Sequence, residues 1–195
     1  MTTIINGSSP SVTFSDGTTQ TTAGLPLTGG TVTGNVTVSG AITATGGVIQ
    51  GANAAPAFSA YLLSTQTITS STWTKVQCGT EEFDTNGNYD NVTNYRFTPT
   101  VAGYYQFNGR ISNGPSTSPS GAYVSIYKNG AAAKYGGSQA LTSPQYDEGV
   151  NASVLIYMNG STDYVELYAY ITATTAVLQN GASLCFFQGF LARSA

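Results

Sequence analysis

The sequence predicts an all-β protein, with a compact β domain over residues 57–195 preceded by a thin, β-structured stalk over residues 1–56. Three observations predict it. Alternating or wholly apolar runs recur from AFSAYLL at Ala57 to SLCFFQGFLA at Ser183, with Asn-Gly or Pro-Ser-Gly turn chemistry between many of them. No stretch carries the apolar period of an amphipathic helix. Before Ala57 the chain is almost uncharged and is punctuated by glycine. Strands at this spacing without helices make a sandwich, a barrel or a jelly roll.

The stalk comes first in the chain. Asp16 is the only charged residue between Met1 and Thr74, and Phe14 the only aromatic residue before Ala57. Fixing a residue's backbone costs about 1–2 kcal/mol, which isolated Val and Ile side chains cannot offset within one chain. From Gly29 the sequence reads GGTVTG, NVTVSG, AITATG, GVIQG, so Gly34, Gly40 and Gly46 recur every six residues, as do Val36, Ile42 and Val48. A fixed short period of β-branched residues points to repeat architecture. Three such strands around a shared axis would bury the Val and Ile stripe; a flexible Gly/Thr linker is the alternative.

In the second domain the alternation assigns faces, because successive strand residues point to opposite sides. In DYVELYAYI, Val165, Leu167, Ala169 and Ile171 form one face, and Tyr164, Glu166, Tyr168 and Tyr170 the other. In GYYQFNGRI, Tyr105, Phe107 and Ile111 oppose Tyr104, Gln106, Asn108 and Arg110. The first set of each is assigned to the core. Tyrosine buries area yet keeps a hydroxyl for hydrogen bonding, and is favoured at subunit contacts. Tyr104, Tyr164, Tyr168 and Tyr170 are therefore expected at a trimer interface, the alternative being an exposed, Tyr-decorated sheet.

Composition excludes several function classes. There is no histidine, so the commonest general base and metal ligand is missing. Six Lys and Arg residues in the chain are too few for the clustered positive charge that nucleic acid requires. No apolar run reaches the roughly 20 residues of a membrane-spanning helix, and MTTIINGSSP does not read as a secretory signal. Cys78 and Cys185 are expected as buried free thiols or as one long-range disulfide. The adjacent pairs Glu81/Glu82 and Asp147/Glu148 point to opposite faces of a strand and make no acid/base pair. A distant pair such as Asp84 with Asp163 is the remaining arrangement for glycan hydrolysis. Residues 84–90, DTNGNYD, space oxygen side chains like the first half of a calcium loop but lack its closing Glu. No enzyme activity and no cofactor is expected, calcium being the one weak candidate.

From Ala57 to Ala192 the motif order AFSAYL, TWTKVQ, FDTNGNYDN, RFTPTVAGYYQF, VSIYKNG and SLCFFQGFLA resembles the globular head of complement component one, subcomponent q, a relative of the tumour necrosis factor jelly rolls. The most specific part is Phe83-Asp84, Tyr89-Asp90, Phe97, Pro99, Gly103, Tyr105 and Phe107. The resemblance implies a ten-stranded jelly-roll sandwich assembled as a tight homotrimer. No collagen repeat precedes the head, so a collagen-stalked immune protein is not expected. Over about the first 50 residues, VTFSDGTTQTTAG and LPLTGGTVTGNVTVSG resemble motifs of bacteriophage tail fibres and related structural proteins. That resemblance implies a virion protein, assembled in the host bacterial cytoplasm, whose N-terminal region binds other virion proteins.

The leading functional expectation is a trimeric fibre or spike whose head contacts a host-surface glycan or protein. Contact residues are expected in loops, above all KYGGSQALTSPQYDEG: Tyr135, Gln139, Tyr146, Asp147 and Glu148. Tyr would stack on a sugar face and the carboxylates would accept sugar hydroxyls; a loop without ligand is the alternative. The competing expectations are a purely structural head fibre, decoration or connector protein, and a secreted cellular adhesin.

Overall fold

A computed structural model describes residues 55–140 and 148–195, together with the backbone of three short strands before them. The chain divides into two compact units, Met1–Ile49 and Gln50–Ala195. In the first, β1 (Ile4–Ile5), β2 (Val12–Thr13) and β3 (Thr19–Gln20) pair antiparallel in that order. The six-residue period of Gly34, Gly40 and Gly46 lies outside the described residues, as do Tyr146 and Asp147.

The second unit holds β4 (Ala57–Tyr61), β5 (Gln66–Ile68), β6 (Thr74–Lys75), β7 (Thr80–Asp84), β8 (Tyr89–Asp90), β9 (Arg96–Phe97), β10 (Gly103–Ser112), β11 (Gly121–Lys128), β12 (Ala131–Ala140), β13 (Gly149–Met158), β14 (Val165–Thr172), β15 (Ala176–Leu178) and β16 (Phe186–Ser194). One sheet has the order β13-β10-β16-β4-β7. The other has the order β12-β11-β14-β9-β8, with β6 also pairing β14; β5 and β15 pair apart from both. All pairings are antiparallel, and the fold is a jelly roll. The resemblance implied ten strands. The described residues of this unit form thirteen, because turns cut the segment between Gln66 and Phe97 into pieces of two to five residues.

The core forms where the inner faces of the two sheets meet. Phe107 and Tyr105 on β10, Phe58 on β4, Phe187 on β16 and Phe97 on β9 are all within 1% of full burial. Their rings pack directly: Phe58 stacks on Phe97 at 4.5 Å and meets Phe187 edge to face at 5.0 Å. Burying each such side chain contributes about 1.5–3 kcal/mol. The two buried phenols are satisfied, since Tyr105 Oη donates to Val101 O at 2.8 Å and Tyr89 Oη to Cys78 O at 3.0 Å. Val165, Leu167, Ala169 and Ile171 line the same core, as their alternation predicts. Cys78 and Cys185 are buried free thiols, and burial together with a thiol–thiol hydrogen bond pushes Cys78 well above the usual range.

The turns follow their sequences in most cases. Asn129 (φ 52°) and Gly130 (φ 80°) join β11 to β12 with the two left-handed residues of a type I′ hairpin. Asn113-Gly114 behaves differently. Asn113 bridges Leu178, and Gly114 N donates to Val177 O at 2.8 Å, so Asn113-Gly114 is a buried crossing and only Pro115 of NGP is exposed.

Candidate functional site

The outer face of the six-stranded sheet carries an unusual density of aromatic rings. Odd-numbered residues of β11 point outward, so Tyr123, Ser125 and Tyr127 share that face while Ala122, Val124 and Ile126 are core. Register aligns Tyr123 with Tyr170, Ser125 with Tyr168 and Tyr127 with Glu166 on β14. On the other flank, Tyr135 of β12 aligns with Ser125. Ser125 is fully buried although it faces outward, because the rings around it close over a small side chain. Its hydroxyl donates to Lys134 O at 2.9 Å.

Trp73 completes the cluster. Its ring centroid lies 5.5 Å from Tyr170, 5.7 Å from Tyr135 and 6.3 Å from Tyr127. Tyr123 meets Tyr170 edge to face at 5.5 Å, and Tyr127 stacks on Tyr168 at 3.8 Å. The segment before Trp73 is pinned to the end of β14. Ser71 N donates to Ile171 O at 2.9 Å and Ser70 Oγ to Ala173 O at 2.6 Å. These bonds hold Ser71 at φ 56°, a left-handed conformation that costs a non-glycine residue about 1–2 kcal/mol. Trp73, Tyr123, Tyr170 and Thr172 line an open cleft of 260 Å³, and none of these described lining residues is charged.

Two charges close to the cluster in sequence, on β6 and β14, neutralise each other. Lys75 Nζ lies 2.5 Å from Glu166 Oε1 and also donates to Asn94 O at 3.1 Å; the Glu166 side chain is almost wholly buried. Burial, with the Glu166 charge adding to it, pushes the Tyr168 phenol up to about 12.

The outer face of the five-stranded sheet is different in kind. Phe83, Tyr104, Leu155, Tyr157 and Phe190 are each between 43% and 53% exposed. Register places Tyr104 opposite Tyr157, and sets Leu155, Gln106 and Phe190 in one row across three strands. Between Phe83 and Phe190 lies a cleft of 180 Å³. At the centre the polar side chains satisfy one another: Gln106 Nε2 donates to Ser153 Oγ at 3.0 Å, and Ser153 Oγ to Asn108 Oδ1 at 2.9 Å.

Of the residues expected to contact a ligand, the three that are described, Tyr135, Gln139 and Glu148, lie apart in the fold. Tyr135 and Gln139 lie on β12 rather than in a loop, because the Asn-Gly hairpin carries the strand through Gly136-Gly137. A register shift falls at that pair, so Tyr135 aligns with outward Ser125 while Gln139 aligns with inward Ala122. Gly136 is required there: a Cβ would lie 2.6 Å from Ala152 Cβ and 2.7 Å from Asn151 O on β13. Glu148 lies at the start of β13, its carbonyl accepting from Asn113 N at 2.7 Å. Tyr135 alone of the described three joins the aromatic cluster.

The four tyrosines expected at one interface divide as well. Tyr168 and Tyr170 belong to the aromatic cluster, and Tyr164 lies under the Arg96 guanidinium at 4.4 Å. Tyr104 is on the other sheet. Asp84 and Asp90 are occupied by turns, Asp84 accepting from Asn86 N and Tyr89 N, and Asp90 from the amides of Val92, Thr93 and Asn94. Asp163 pairs with Lys128 at 2.7 Å and accepts from Asn129 Nδ2 at 2.8 Å. Among the described residues, no three His, Cys, Asp or Glu side chains are placed to hold a metal ion. The sequence reading missed Trp73, Tyr123, Tyr127, Leu155, Tyr157 and Phe190. Alternation in AYVSIYK and ASVLIYM pairs Tyr123 with Tyr127 and Leu155 with Tyr157.

Comparison with known proteins supports the fold and stops there. No family model matches the chain, and no curated protein does. Among solved structures, murine APRIL is similar over 71% of this chain and 99% of its own, with 12% identity and a TM-score of 0.52. The Eiger TNF of S. frugiperda is similar over 72% of this chain and 95% of its own, at 9% identity and a TM-score of 0.47. The head thus shares the jelly-roll fold of murine APRIL.

Proposed function

We propose that the protein is a non-catalytic structural component of a bacteriophage virion, a homotrimeric fibre or spike whose head contacts a host-surface receptor. The observation that carries the assembly is the outer face of the five-stranded sheet. Five large apolar side chains lie half exposed on one sheet face, with a cleft between Phe83 and Phe190 that would accept a side chain from another copy. Contiguous apolar patches of this kind mark interaction sites. Gln106, Ser153 and Asn108 between them are hydrogen-bonded to one another, so covering the face leaves the Gln106 amide and the Ser153 hydroxyl with partners. Three copies fit both the stalk period and the resemblance of the head. The virion assignment rests on VTFSDGTTQTTAG and LPLTGGTVTGNVTVSG.

Light scattering on the full chain tests the assembly and should give three times the chain mass; a monodisperse monomer at micromolar concentration would remove it. Immunogold labelling of the parent particle tests the location. Binding of the purified protein to host cells tests receptor contact. Labelling of capsid or tail shells with no cell binding would replace receptor recognition by a connector role.

A further inference from the structure

We infer that the cleft beside Trp73 is a carbohydrate site that takes one neutral pyranose unit of a surface glycan. The inference rests on the receptor-contacting reading of the head and names the ligand class. A pyranose ring presents C–H groups on its faces and hydroxyls at its rim. It needs aromatic walls, neutral hydrogen-bonding groups and a pocket of its own size.

The walls are aromatic and not coplanar. Trp73 and Tyr170 are inclined at 53°, and Tyr123 and Tyr170 at 87°, so the rings form a cup rather than a flat patch. A ring stacked on one wall therefore directs its rim toward the others. At 260 Å³ the cleft is smaller than the roughly 300–1,000 Å³ of pockets for drug-sized ligands. It suits one sugar better than an extended peptide.

The polar groups are neutral. Tyr123, Tyr170 and Thr172, each bearing a neutral hydroxyl, belong to the wall, and Ser71 Oγ reaches Thr172 Oγ1 only at 3.3 Å. A long hydrogen bond of that kind exchanges readily for a shorter one to a ligand hydroxyl. Among the described residues, the wall offers an anionic ligand no cation, and Lys75, two residues beyond Trp73, is paired with Glu166. In the assembly proposed above, a second copy of this chain occupies the Leu155 and Phe190 face and not this cleft.

The cup is also formed in advance. Trp73 is wedged among Tyr127, Tyr135 and Tyr170, and the strained Ser71 is pinned to β14. Rings already ordered lose little conformational entropy on binding.

Trp73 is the only tryptophan in the chain, so tryptophan fluorescence reads this cleft alone. The full-length protein is titrated with methyl glycosides of glucose, galactose, mannose and N-acetylglucosamine and with their oligomers, sialic acid and a heparin fragment being anionic controls. At least one neutral sugar should change the emission saturably, and the controls should not. By calorimetry, Trp73→Ala should weaken that binding more than about tenfold and Thr172→Val about three- to tenfold. Light scattering should give both variants the mass of the parent.

Four results overturn the inference. If the protein binds host cells, Trp73→Ala binds them equally and no sugar changes the emission, the site is wrong while receptor contact stands. If neither cells nor sugars bind, both readings fall. If only the anionic controls bind, the ligand class is wrong. If Trp73→Ala lowers the mass, the cup is a subunit contact.

Discussion

Tyr104 and Tyr157 face one another in register across β10 and β13, their rings meeting edge to face at 5.4 Å on the outer face of the five-stranded sheet. Each ring is more than two-fifths exposed in the single chain. Leu155 lies two residues along β13 on the same face. Leu155→Lys should leave the stability of one chain within about 0.5 kcal/mol. In an assembly that covers this face it would bury a charge, weakening association by about 2–4 kcal/mol. Sedimentation velocity over a concentration series checks this; a variant that keeps the parental mass at high dilution would show that the face is not covered.

Lys75 is the ionic partner of buried Glu166, its Nζ 2.5 Å from Glu166 Oε1. Removing one member of a buried pair strands the other charge at about 3–5 kcal/mol, and the part-exposed Lys75 puts the expected loss for Lys75→Met near the bottom of that range. The double variant Lys75→Met, Glu166→Leu should regain most of it. Urea denaturation of the two variants gives both numbers; equal losses would mean that the pair does not act as a unit.

The turn after β8 predicts an acid response. The amides of Thr93, Val92 and Asn94 and the Asn94 side chain hold Asp90 down at about 2, below its ordinary value. A carboxylate depressed in the folded state stabilises it fully above the unfolded value, and that contribution is lost as pH falls through the folded value. Parent and Asp90→Asn should differ in denaturation midpoint at pH 5 and converge toward pH 2. A constant difference over that range would contradict the assignment.

Gly136 predicts a packing response. Gly136→Val must push β12 away from β13, since even a Cβ meets Ala152, Asn151 and Val124 Cγ1 at 2.6–2.7 Å. Overpacking of this kind costs about 1–3 kcal/mol. Tyr135 is the next residue on β12, so the same variant should also alter Trp73 emission. Unchanged emission with lowered stability would separate the bulge from the aromatic cup.

Much of the head is legible in the sequence wherever a two-residue period runs unbroken. Tyr105, Phe107, Val165, Leu167 and Ile171 fall on the core side because β10 and β14 carry no insertion at those positions. The period fails at Gly136-Gly137, where an extra residue reverses the faces and separates Tyr135 from Gln139. Sequence spacing also cannot say which sheet a strand joins, and so Tyr104 and Tyr168 read alike although they lie on different sheets. Trp73 was readable as part of a strand motif. Its place among Tyr127, Tyr135 and Tyr170 depends on a left-handed Ser71 and on register with β14, neither of which leaves a periodic trace.

β16 lies between β10 and β4, in the middle of the five-stranded sheet rather than at its edge. During synthesis, therefore, β4 and β10 have no common neighbour until residues 186–194 leave the ribosome. Everything earlier waits as an incomplete sheet, and contacts so distant in sequence form slowly. The half-exposed apolar face around Phe190 and Leu155 is finished in the same event, since Phe190 is itself on β16. No stretch of the chain that stops short of β16 presents that face whole.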